Sequence, residues 1–247
     1  MKDYKKLASA IYERQSVRNY SDKKIDFLED NTDLVQKFDL APLFKDVRFK
    51  AVMLKNGEAV KNNRSDYCIG FFSDETGGGF ENVGFIGQQL SLELHNLGIG
   101  TCWWGFKKPA REYRTDDGLK FVISMSAGYP EGTLIRKYPD GFVRKPLKEI
   151  ALCGQDEYTE AVRLSPSAVN NQPWLVEKRE NTYNFYMAKP KNLIDRLLVI
   201  NNMRKIDMGI GMAHLFIKAK ADGYNVDFKA DGQNLSDALY IATATLF

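Results

Sequence analysis

Cysteine and histidine are scarce in this chain of 247 residues, with three of the former and two of the latter. Cys68, Cys102 and Cys153 stand far apart, their number is odd, and no CxxC pair occurs. The sequence therefore predicts free thiols and a reducing, cytoplasmic setting. His95 and His214 lack metal-ligand spacing, so no metal site is expected. No apolar run approaches the roughly 20 residues that cross a bilayer. The opening MKDYKKLASAIYERQSVRNY has no apolar stretch like that of a secretory leader. One-sided charge is missing too: 35 Lys and Arg face 32 Asp and Glu, a net charge of +3. Charges are mixed along the chain with no basic stripe, so neither nucleic acid nor membrane is an expected partner. No Gly-x-Gly-x-x-Gly follows a strand and opens a helix, which excludes a Rossmann dinucleotide fold. Gly209-Ile210-Gly211 lies inside a helical pattern, and Gly98-Ile99-Gly100 follows one.

What is present suits a folded domain. Hydrophobic residues make up 44% and aromatics 12% of the chain, enough to bury a sizeable core. Apolar periodicity predicts helices over 3–15, 25–38, 80–97, 156–164 and 203–222. Short strands are expected at Phe49–Leu54, Tyr67–Phe72, Phe121–Ala127, Leu175–Lys178 and Tyr183–Met187. Gly77–Gly79 and Gly98–Gly105 read as loops, and 131–146 as an exposed connector. The pocket is expected to depend on loops at 60–66, 106–117 and 189–202, whose shape the pattern does not give.

The two long helices match at a fixed offset. Gly84 pairs with Gly209, Leu90 with Leu215, and the capping Gly98 with Gly223. A strand pair precedes each, and a helix precedes each strand pair. This order points to an internal duplication, with halves at 1–148 and 149–247. The small residues on each long helix suit close approach of a neighbouring helix.

Three segments carry a more specific signal. The first is Arg14-Gln15-Ser16-Val17-Arg18 after the opening helix. The second is Gly98-Ile99-Gly100-Thr101-Cys102-Trp103-Trp104-Gly105 after the first long helix. The third is Pro166-Ser167-Ala168-Val169-Asn170-Asn171-Gln172-Pro173-Trp174. Together they resemble the nitroreductase family across nearly the whole chain, and in particular its single-chain, tandem-repeat branch. One departure stands out. The family's Pro-Ser-x-x-Asn-x-Gln-Pro-Trp segment ordinarily follows its Arg-x-Ser turn closely. Here the matching stretch Asp39–Phe49 lacks the Asn and Gln, and the intact segment occurs only in the second half.

The resemblance implies an α+β, nitroreductase-like fold: two degenerate repeats forming a pseudo-dimer around long central helices. It implies one FMN site, with Arg14, Gln15, Ser16 and Arg18 from the first half and Pro166, Ser167, Ala168, Asn170 and Gln172 from the second. Arg14 and Ser16 would take the phosphate, joined by Arg144 and Lys145, since a phosphate dianion favours guanidinium forks and hydroxyls. Arg18 would approach the pyrimidine side of the ring, and the loop bearing Gly100, Thr101, Cys102 and Trp103 would bring backbone amides to N5 and O4. Each residue also has a plain structural reading. Arg14 could be a helix-end cation and Arg18 a surface ion pair. The Ser167 segment could be a capping turn, and Cys102 and the tryptophans could be core.

No residue reads as a general acid or base, which suits chemistry centred on the flavin. The implied activity is ping-pong reduction of nitroaromatics, quinones or similar small-molecule acceptors, with NADH or NADPH as transient donor. The alternative is a flavin-binding protein with little turnover. A chain that imitates a dimer would be competent as a monomer.

Overall fold

The computed structural model describes residues 2–28, 33–54, 65, 67–74, 77–105, 117–200 and 202–247. It is a mixed α+β structure with two sheets. Helix α1 (Tyr4–Ile11) starts at Asp3, whose side chain accepts the Lys6 N–H, and buries Leu7, Ala8, Ala10 and Ile11. The helical reading of 25–38 is too long: among its described residues only α2 (Leu34–Lys37) is helical, capped by Asp33. Ile25 and Leu28 are buried without belonging to a helix. The apolar spacing there marked a packed face and not a helix, and residues 29–32 lie outside the described set.

Strands β1 (Phe49–Leu54) and β2 (Tyr67–Ser73) precede helix α3 (Gly79–Asn96). Strands β3 (Gly100–Trp104) and β4 (Lys120–Gly128) follow it. They form one antiparallel sheet in the order β1-β2-β4-β3. Gly98–Gly105 is therefore largely a strand and not a loop. Its two glycines suggested a loop, but Thr101 to Trp104 are good strand formers and pair in register with Ala127 to Ser124.

The short α4 (Leu147–Ile150) and β5 (Ala151–Cys153) lead to α5 (Glu157–Arg163), which Asp156 and Thr159 cap reciprocally. Then come β6 (Trp174–Arg179), β7 (Thr182–Ala188), α6 (Leu193–Ile200) and α7 (Met203–Ala221). Strands β8 (Val226–Lys229) and β9 (Ala238–Leu246) end the chain described here. The second sheet runs β5-β6-β7-β9-β8. Helix α6 corrects the loop expected over 189–202: Leu193, Leu197 and Leu198 fall at helical spacing. The loops expected at 60–66 and 106–117 lie almost wholly outside the described residues.

Strand order β6-β7-β9-β8 repeats β1-β2-β4-β3, and each sheet carries a register shift in its middle pair, at Phe71/Phe72 and at Phe185/Tyr186. Helices α3 and α7 pack against each other between the sheets. A Cβ on Gly84 would lie 2.0 Å from the Ile206 carbonyl oxygen, and one on Gly209 would lie 1.9 Å from that of Glu81. Only glycine permits backbones this close. The two contacts are reciprocal: Gly209 follows Gly84, and Ile206 follows Glu81, by the same 125 residues. Separate apolar clusters flank the crossing. One centres on Trp174, Phe185 and Leu215, the other on Ile69, Leu90 and Met125.

Candidate functional site

Segments far apart in sequence meet at a cleft of about 340 Å³. Ser16, Arg18, Cys102 and Trp103 line it together with Pro166, Ser167 and Ala168. Trp104, Met203 and Asp207 complete much of the wall.

The Arg14–Arg18 segment reaches the cleft because it docks on the free edge of β3. Ser16 bridges to Thr101, and the Val17 N–H donates to the Thr101 carbonyl at 3.0 Å. Gly100 makes this possible: a Cβ there would meet Val17 Cγ2 at 2.4 Å. Gly100 and Thr101 thus hold the turn, while Cys102 and Trp103 face the cleft. The Thr101 hydroxyl lies 2.6 Å from that of Ser91. Arg14 Nε donates to Ser91 Oγ at 3.2 Å, and Arg14 Nη2 to Ser16 Oγ at 3.1 Å.

Among the described residues Arg14 is buried with only neutral hydrogen-bond partners. Burial first, then the nearby Arg136 and Arg144, pull its guanidinium down to about 9. Arg144 is drawn down to about 10, again by burial first and then by Arg136 and Arg163. Arg136 is lowered by burial and by Arg18. Four guanidinium groups therefore sense one another, and none of the four has a carboxylate within ion-pair distance among the described residues. The Nε atoms of Arg136 and Arg144 are buried without a partner. Such a set is costly when empty and is satisfied by a polyanion.

Arg136 was not singled out from the sequence, which marked only Arg144 and Lys145 in the 131–146 connector. That connector crosses the Arg14 turn: Ile135 bridges to Arg14, and the Arg136 N–H donates to the Glu13 carbonyl at 2.7 Å. The remaining predicted residues sit around the cleft and are absent from its lining. Gln15 donates to the Thr133 carbonyl. Asn170 donates to the Val143 carbonyl and accepts from Arg144. Gln172 accepts the Lys145 N–H, and the Lys145 ammonium donates to the Asn171 and Gln172 carbonyls. Asn170, Gln172, Arg144 and Lys145 therefore shape the Pro166–Trp174 segment. That segment is strained: Val169, Asn170 and Gln172 have φ of 46°, 58° and 51°. For a β-branched residue this is an outlier, and such strain concentrates at binding sites.

Asp207 on α7 is the second residue the sequence did not single out. Its Oδ1 accepts the Ala168 N–H at 3.0 Å, which pins the segment to the helix. Burial pushes its carboxyl up to about 8, against the Ala168 hydrogen bond and Arg204.

A smaller hollow of about 290 Å³ includes Phe44, Gly78, Glu81, Ala230 and Ile241. Phe44, Gly78 and Glu81 precede Val169, Met203 and Ile206 of the main cleft by 125 residues, and Ala230 follows Gly105 by the same number. Lys205 is the cation on its lining.

Fold and cleft together define an α+β protein with an anion-ready cleft lined by segments far apart in sequence. The chain belongs to the nitroreductase family, through the group described as "Putative TM nitroreductase", which matches residues 6–219. A structure described as a putative nitroreductase from Thermotoga maritima is 20% identical and aligns with a TM-score of 0.62, over 97% of this chain and 92% of that one. A structure from Parabacteroides distasonis, described as a putative NADH dehydrogenase/NAD(P)H nitroreductase, is 19% identical with a TM-score of 0.41, over 58% of this chain and 95% of that one. One from Exiguobacterium sibiricum, described as a putative nitroreductase in complex with FMN, is 16% identical with a TM-score of 0.38, over 63% of this chain and 98% of that one. No curated protein matches the chain. Among the described residues no helix is long and apolar enough to cross a membrane.

Proposed function

We propose that the cleft holds one FMN and that the chain is an NAD(P)H-dependent oxidoreductase for nitroaromatics, quinones or similar acceptors. The observation that carries this reading is the cluster of Arg14, Arg136 and Arg144 beside Ser16, without carboxylate partners. Its chemistry fits a phosphate dianion, and the apolar walls beside it, Trp103, Pro166 and Met203, fit a flat ring. Bound FMN would supply two-electron hydride chemistry at its N5. The chain's own residues would bind and orient. Arg14, Ser16, Arg136 and Arg144 would hold the phosphate. Arg18, on the cleft wall, would place a positive charge beside the ring, where it favours an anionic reduced form. Ping-pong kinetics follow if donor and acceptor share the open face.

The same reading treats the chain as a dimer imitated by one polypeptide. The repeated strand order, the reciprocal Gly84 and Gly209 contacts and the image hollow support it. The hollow's lining has Lys205 as its cation and no arginine, so one flavin per chain is expected, and a single copy suffices.

The test is titration of apoprotein with FMN, followed by anaerobic NADH or NADPH. One equivalent bound, then bleaching of the flavin spectrum, supports the proposal. Binding without bleaching by either nicotinamide would leave a flavin carrier. No binding at all would remove the enzymatic reading.

A further inference from the structure

The two halves treat one position differently. On α3, Asn82 ties down its neighbouring segment completely: Oδ1 accepts the Leu43 N–H at 2.7 Å and the Phe44 N–H at 3.3 Å, and Nδ2 donates to the Phe44 and Val47 carbonyls at 3.4 Å. Asp207 and Ala168 stand 125 residues after Asn82 and Leu43. Asp207 repeats the first contact only, at 3.0 Å, and its Oδ2 is buried without a partner. If tethering were its whole role, the amide used in the other half would serve and would leave no orphaned oxygen. Asp207 differs from Asn82 in one more respect: it lines the main cleft.

We propose that Asp207 is held as a neutral carboxylic acid whose O–H donates a hydrogen bond to a ring carbonyl of the flavin, making it a specificity-determining residue of the cleft. The inference rests on the flavin reading given above.

The surroundings support the neutral form. Asp207 is almost fully buried, and among the described residues one backbone N–H is its only donor. Arg204, three residues earlier on α7, favours the carboxylate, but the two form no ion pair: Arg204 Nε and Nη1 and Asp207 Oδ2 all lack partners. Arg204 is shared with Asp195 of the α6 turn. Arg18 and Cys102 are the other titratable groups on the cleft lining. An isolated carboxylate so placed costs more than its acid form.

The experiment is calorimetric titration of apoprotein with FMN at pH 8–9, in buffers of different ionisation enthalpy, for wild type and Asp207→Asn. At this pH the ligand phosphate is already a dianion. Wild type should take up protons on binding and lose affinity by up to about tenfold per pH unit above pH 8. The Asn variant keeps an N–H donor, so it should bind FMN with little pH dependence. Uptake of the same size in the variant overturns the proposal. Proton release in wild type, or no difference between the proteins, overturns the proposal while leaving flavin binding intact. Failure of wild type to bind FMN overturns both. An infrared carboxylic-acid band in the apoprotein near neutral pH, absent from Asp207→Asn, is the independent readout. Its absence from wild type also overturns the proposal.

Discussion

Asp207 accepts the Ala168 N–H at 3.0 Å, joining the second long helix to the segment that walls the cleft. Its stability consequence has a definite sign. The folded carboxyl is raised from 3.8 to about 8. The unfolded chain therefore ionises first, and Asp207's contribution is complete below pH 3.8 and lost as pH rises through 8. Asp207→Asn should stabilise the apoprotein by about 1–3 kcal/mol at neutral pH, allowing for relaxation of the buried site. Urea denaturation at pH 5 and pH 8 checks this; an equal pH response in the two proteins would count against it.

His214 acts in the opposite pH range. Its Nδ1–H donates to the Ala161 carbonyl at 2.8 Å, and its Nε2 lies 2.8 Å from the Gln88 amide nitrogen, so the ring is a neutral bridge. Burial lowers it from 6.5 to about 3. Its contribution is present above pH 6.5 and is lost as pH falls towards 3, by at most about 1.4 kcal/mol per pH unit. Acid titration of thermal stability should show this loss, with a shallower slope in His214→Asn.

Gly84→Ala and Gly209→Ala each place a Cβ about 2 Å from a carbonyl oxygen of the facing helix. Backbone cannot yield as a side chain can, so each variant should lose about 3 kcal/mol or more. The losses should be less than additive, because either change already opens the crossing. Midpoints in urea measure both effects.

Arg136→Met separates ligand binding from folding. One charge-assisted contact is worth about 1.5–3 kcal/mol, or about tenfold to a hundredfold in FMN affinity. Without ligand, the change removes a like charge near Arg14, Arg18 and Arg144. Apoprotein stability should therefore hold or rise while affinity falls. An affinity equal to wild type would place Arg136 outside the phosphate site.

Val169→Gly tests the strain beside the cleft. Val169 is 64% exposed, so little packing is lost, and its φ of 46° suits glycine. Relief of strain should exceed the added freedom of the unfolded chain and stabilise the apoprotein by up to about 1 kcal/mol. A fall in its melting temperature would show that the valine side chain packs more than its exposure suggests.

The sequence marked the strongly periodic elements well. The long helix expected over 80–97 forms at Gly79–Asn96, and that over 203–222 at Met203–Ala221. Their seams repeat through four or more turns, so the signal outweighs local noise. The strand of Gly100–Trp104 was hidden because glycine, read locally, suggests a loop. Its actual role is to let Val17 approach, a contact between segments more than eighty residues apart. The excess length of the helix expected at 25–38, of which α2 (Leu34–Lys37) forms, has the same origin, since apolar spacing reports a buried face before it reports a backbone shape.

By itself the sequence determined the family resemblance, the two matching helices and the segments that supply the cleft, because these reside in residue type and spacing. Only the tertiary structure decided which side chains meet there. It turned Asn170, Gln172 and Lys145 towards their own loop, drew the unmarked Arg136 to Arg14, and buried Asp207 with one oxygen unpaired. Burial and long-range charge set these properties, and neither has a value until the chain has closed around the residue.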